Sequence, residues 1–113
     1  MNINQLVIIE KYDIFLKYIY PELQRIPRKH GILKERIITL VFLQVDLFYK
    51  AIKSNQISKL YEADASLALI RHHLRFLADE KYKLVSPKKH QVASIHLAEV
   101  GKILGAMINK KGK

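Results

Sequence analysis

Arg71 and Arg75 stand four residues apart in a segment of helical periodicity, so their guanidinium groups project from one helix face. Two planar forks of donors on one face suit phosphate oxygens. Asp64 and Ala68 continue that face, and Asp64 reads as a structural partner for a basic side chain. Further basic candidates are Lys81, Lys83, Lys88, Lys89, Lys102 and the Lys110, Lys111 and Lys113 tail. Aromatic residues do not interleave with this basic run, which argues against a base-stacking platform. The expected chemistry is backbone contact with a polyanion, with little sequence readout and strong salt dependence.

Other constellations offer less. Arg25 and His30 fit the loose spacing of arginine and histidine in some helical ribonucleases, yet Pro27 lies between them and Gly31 follows, so the segment reads as a turn. No Glu-x-x-His pair of the di-iron bundle type is present. His96 and Glu99 occur in the reverse order, and the adjacent His72 and His73 diverge on a helix. With no Cys in the chain, thiolate metal sites, disulfides and cysteine nucleophiles are excluded. There is no Gly-rich phosphate loop and no triad. The expectation is a protein that is not an enzyme, with no metal and no cofactor.

Charge supports the polyanion reading. Twenty Lys and Arg against ten Asp and Glu give a formal +10. Residues 71–113 hold half of the basic side chains but three of the ten acidic ones, and four of the five His. Such a field concentrates polyanions and speeds encounter with them.

The elements that must position these residues are helical. At 113 residues, half of them apolar, the chain is expected to form a single domain, 1–113. Four Gly and three Pro are too few for a many-stranded sandwich. Periodicity predicts an all-α, up-and-down four-helix bundle with helices over about 3–24, 33–53, 59–78 and 87–109. In the first, Leu6, Ile9, Leu16, Tyr20 and Leu23 recur at helical spacing, and Pro21 is expected to kink or break the helix. The second is apolar nearly all round. Its seams are Ile37, Leu40, Leu47, Ala51 and Ile38, Val41, Val45, Phe48, Ile52, with Phe42, Leu43 and Tyr49 outside both. That surplus predicts a subunit interface. Ser58 is expected to cap the third helix, whose seam is Leu60, Ala63, Leu67, Ile70, Leu74 and Leu77. Ser86-Pro87 opens the fourth. There Ser94, Ala98, Gly101 and Gly105 form a stripe of small residues, as if another helix backbone approached. No signal peptide or membrane span is visible, which points to the cytoplasm.

Several blocks together resemble the accessory variability determinant (Avd) family of diversity-generating retroelements. They are SNQISKLYEADA at 54–65, LIRHHLRFLA at 69–78, Tyr20-Pro21, IPRKHG at 26–31, His90-Gln91-Val92, and LAEVGKILG at 97–105. Four-helix proteins encoded by ribosomal-RNA intervening sequences share the architecture and leave a general RNA-binding bundle as the alternative. The resemblance implies a homopentameric barrel whose basic surface binds the element's reverse transcriptase and template RNA in support of mutagenic cDNA synthesis. Carried over by position, the family's functional basic residues fall on Arg71, Arg75 and Lys102. The chain departs from the family at His72 and His73, where relatives carry an aromatic pair.

Overall fold

The computed structural model describes residues 3–112, all but the side chains of Ile3, Asn4 and Leu6. Leu6, expected on the first core stripe, and Lys113, expected in the basic tail, therefore lie outside the described side chains. Four helices follow in order: α1 Ile3–Gln24, α2 Gly31–Ser54, α3 Ile57–Ala78 and α4 Pro87–Lys111, with a single 3-10 turn over Arg28–His30. Each packs on two neighbours: α1 on α2 and α4, and α3 on the same pair. The bundle measures 45 × 24 × 20 Å. No helix among the described residues is long and apolar enough to cross a membrane.

Three local expectations are corrected. Pro21 does not end α1, which continues to Gln24. Pro21 and Lys17 both lie on the exposed side, where water can satisfy the Lys17 carbonyl that proline leaves without a donor. Ser58 does not cap α3. Gln56 precedes that helix in extended conformation without a side-chain bond, and Ser58 lies inside the first turn. The helices also outrun their expected limits, α2 and α3 starting two residues early and α4 ending two residues late. Ser86 does cap α4, its Oγ accepting from the Lys89 N–H at 3.2 Å. Asn55, at φ 57°, closes α2 in the left-handed region, its N–H bonding the Ala51 carbonyl.

The seam of α3 is buried as its spacing predicts, from Leu60 through Leu77. On α2 the buried stripe is Ile37, Val41, Gln44, Phe48 and Ala51, which runs between the two expected seams. Gln44 is fully buried, and its Nε2 donates to the Ala63 carbonyl at 2.8 Å, tying α2 to α3. The largest core group is aromatic: Tyr12 lies 5.4 Å from both Phe15 and Phe48 by ring centroids, edge-on to Phe48. Burying side chains of this size contributes roughly 1.5–3 kcal/mol each.

Tyr12 donates its hydroxyl to the Val41 carbonyl, and burial pushes that hydroxyl far above the usual tyrosine range. The unfolded chain's tyrosine ionises near pH 10. Below that, both states keep the proton and this group adds no pH dependence. Above it, the unfolded state releases a proton that the folded state holds. Stability then falls by about 1.4 kcal/mol per pH unit as pH climbs toward the raised folded value. Tyr12→Phe is expected to cost about 1 kcal/mol at neutral pH, for the lost hydrogen bond, and to flatten the alkaline limb. Melting temperatures from pH 8 to 11.5 measure both; parallel limbs for parent and variant would refute the assignment.

Candidate nucleic-acid interface

The arginine stripe of α3 and the small-residue stripe of α4 are two walls of one groove. Asp64, Ala68, Arg71, Ala98, Gly101 and Lys102 line an open depression of about 410 Å³. Arg71 and Arg75 line its continuation with His90 and Ser94. The fold thus brings Arg71, Arg75 and Lys102 to one surface, with Arg71 shared by both halves.

Arg71 is posted there by α4. One guanidinium nitrogen donates to the Leu97 carbonyl at 2.8 Å. A Cβ added at Gly101 would stand 2.9 Å from the same nitrogen. The small stripe therefore admits an arginine side chain, where the sequence suggested a helix backbone. Gly105 has open space around it. Among the described residues, neither Arg75 nor Lys102 makes a hydrogen bond or ion pair, and both are exposed. Asp64 corrects its expectation: it lies in the groove but, among the described residues, pairs with no basic side chain within 4.0 Å. The groove therefore offers one oriented guanidinium and two free cations, which suits an anionic ligand.

The remaining basic candidates separate by environment. Lys89 bridges to Glu22 at 3.7 Å and lies over the Tyr18 ring, and Lys111 donates to Asn55 at 2.6 Å. Lys81 lies over Tyr82, 5.6 Å from the ring centre. Lys83, Lys88 and Lys110 are exposed. Arg25 and His30 are not joined: Arg25 is held by Glu22 at 2.6 Å, and His30 sits edge-on to Tyr82. No group of three or more His, Asp or Glu among the described residues could hold a metal ion. His73, which no spacing rule singled out, joins two helices. Arg36 Nε lies 3.3 Å from its Nε2, and its Nδ1 lies 2.7 Å from the Leu69 carbonyl. This arrangement sets the tautomer, with Nδ1 donating and Nε2 accepting.

Gly101 permits a test that separates fold from groove. Gly101→Ala is expected to displace the flexible end of Arg71 and weaken polyanion binding severalfold, while the helix gains about 1 kcal/mol in propensity. Gly105→Ala, with open space around its Cβ, is expected to raise the melting temperature by roughly 4–8 °C and leave binding unchanged. Thermal melts and a filter-binding titration with single-stranded RNA distinguish the two. Equal binding by both variants would show that the placement of Arg71 does not govern binding.

Together these features define an all-α four-helix bundle with a basic inter-helix groove. Comparison with known families sharpens that class: the bAvd-like family model matches residues 6–111, and the chain belongs to that family. No curated protein matches it.

Proposed function

We propose that the chain is a non-enzymatic accessory protein of a diversity-generating retroelement, working in the cytoplasm. It binds the element's reverse transcriptase and template RNA through the α3–α4 groove. The observation that carries this reading is the oriented Arg71, flanked by the free Arg75 and Lys102, in a bAvd-like chain. Membership in a family of accessory proteins supports the absence of catalysis, and so does the pairing of Arg25 with Glu22 and not with His30.

Function as a scaffold follows from charge and surface. Five chains arranged as a barrel repeat the groove around a ring, and each contributes its formal +10. RNA capture by such a ring needs no sequence code. The apolar residues left outside the core of α2, Phe42, Leu43 and Tyr49, support association.

Co-purification of the chain with the reverse transcriptase of its own element, with and without template RNA, tests the reading. The expected result is a ternary complex that loses RNA steeply between 50 and 200 mM salt, at a slope of roughly −0.7 for each phosphate contacted. Retention of neither partner at 50 mM salt would overturn it.

A further inference from the structure

One end of the bundle gathers three rings from three separate segments, two of them exposed and His30 half-buried. Phe76 closes α3, Tyr82 lies in the 79–86 connection, and His30 ends the 3-10 turn before α2. Phe76 and Tyr82 lie nearly parallel, 27° apart with centroids at 5.1 Å. His30 meets Tyr82 edge-on at 6.5 Å. Phe76 and Tyr82 remain 43% and 41% exposed. Tyr82 stands between Lys81 and Lys83, inside the basic run, which corrects the expectation that no aromatic interleaves with it.

The connection that carries Tyr82 is pinned. The Leu77 carbonyl accepts from the Leu84 and Val85 N–H groups at 2.8 and 3.0 Å, and Val85 is buried. Asp79 turns the loop, its carboxylate accepting from the Lys81 N–H at 2.9 Å and its carbonyl from the Lys83 N–H at 2.8 Å. Lys83 occupies the left-handed region at φ 49°. Tyr82 is thus presented on an ordered turn, which lowers the entropy lost when a flat ligand settles on it.

The charge around the rings indicates the ligand. Asp79 and Glu80 offset Lys81 and Lys83, so net charge does not mark the loop. Across the cluster, Arg28 and Lys29 are exposed and, among the described residues, unpaired; with His30 they line a depression at the start of α2. The Tyr82 ring has Phe76 stacked on it and the exposed Lys81 ammonium 5.6 Å from its centre, and Arg28 and Lys29 share a turn with His30; a strand whose phosphates meet these cations can lay a base on the part-exposed rings in place of that solvated lysine. A double helix shows its base faces only at its ends.

We propose that this end of the bundle is a stacking site for single-stranded nucleic acid, with Tyr82 as the platform, Phe76 as its support, and Arg28 and Lys29 as backbone contacts. It is distinct from the α3–α4 groove. It shares with the proposed function the premise that the chain meets nucleic acid.

The test compares a 12-nucleotide single-stranded RNA with an abasic strand of equal length and charge. The parent is expected to bind the base-bearing strand about tenfold more tightly. Tyr82→Ala is expected to abolish that gap, Tyr82→Phe to keep it, and the abasic strand to bind all three alike. The chain has no Trp and six Tyr, so tyrosine emission gives a second readout that does not depend on the alanine variant's fold. The base-bearing strand is expected to quench the parent more than Tyr82→Phe. Equal affinity of the parent for both strands overturns the stacking site and leaves the groove reading intact. Persistence of the gap in a folded Tyr82→Ala, or identical quenching of parent and Tyr82→Phe, also overturns it. If neither strand binds, both readings fail. A protein docking on these rings would appear as the first of these results.

Discussion

Replacing Arg71 and Arg75 together by glutamate is expected to lower RNA affinity at least about 100-fold near 0.1 M salt, while the bundle melts within a few degrees of the parent. Hydrogen bonds to charged partners are worth roughly 1.5–3 kcal/mol each, so losing two phosphate contacts gives about 3–6 kcal/mol, and each tenfold in affinity takes 1.4. Reversal adds repulsion within a screening length of about 10 Å. Both side chains are exposed and outside the core, so the fold loses only the bond from Arg71 to the Leu97 carbonyl. The control is Lys50→Glu with Lys53→Glu on the exposed side of α2, where neither lysine has a partner among the described residues. Either pair takes the formal charge from +10 to +6, two units for each reversal. If net charge alone drove binding, the pairs would weaken it equally. If the groove does, only the arginine pair reaches the larger loss. Normal binding by the arginine variant would move the site elsewhere.

How far residues announced this arrangement depends on whether polar neighbours marked the outside of each helix. On α3 they did. Tyr61, Glu62, Asp64 and Ala65 alternate with Leu60, Ala63 and Leu67, and the seam from Leu60 to Leu77 is buried as read. On α2 apolar residues occupy nearly every direction, so periodicity had no boundary to lock onto. The buried stripe falls between the two seams and takes in Gln44, which belongs to neither. Among the described residues its Oε1 has no hydrogen-bond partner.

The groove was half legible. Both stripes stood out by spacing, one for its arginines and one for its small residues. That they face each other is a tertiary fact, set by the packing of α3 against α4. A usable signal existed: an arginine stripe and a glycine-containing stripe on consecutive helices fit together when the guanidinium needs the volume a Cβ would fill. The bond between Arg36 and His73 had no such signal. It depends on the antiparallel register of α2 and α3, which the same tie from Gln44 to Ala63 helps set.

The surplus apolar surface of α2 leads to the second large effect. Two shoulders flank a polar ridge of Glu35, Thr39, Asp46 and Lys53. On one shoulder Phe42 sits edge-on to Tyr20 of α1 at 5.4 Å. The other is marked by Arg36 reaching His73 of α3, and Arg36, Leu40, Leu43 and Leu47 continue it at steps of four and three. Phe42 and Leu43 stay 44% and 42% exposed. Because the shoulders differ, an assembly that joins one to the other is heterologous, and a heterologous contact whose rotation divides a full turn closes into a ring. Phe42→Glu and Leu43→Glu each place an unpaired carboxylate in that contact at a cost of roughly 3–5 kcal/mol. Either variant alone is therefore expected to run as a single chain by light scattering, where the parent is expected to give the five-chain mass of the proposed barrel. Mixed, the two are expected to pair and stop at two chains, because each supplies the shoulder the other has lost. A mixture that remains single chains would mean that like shoulders meet like. Either variant retaining the parent's mass would place the interface off α2 altogether.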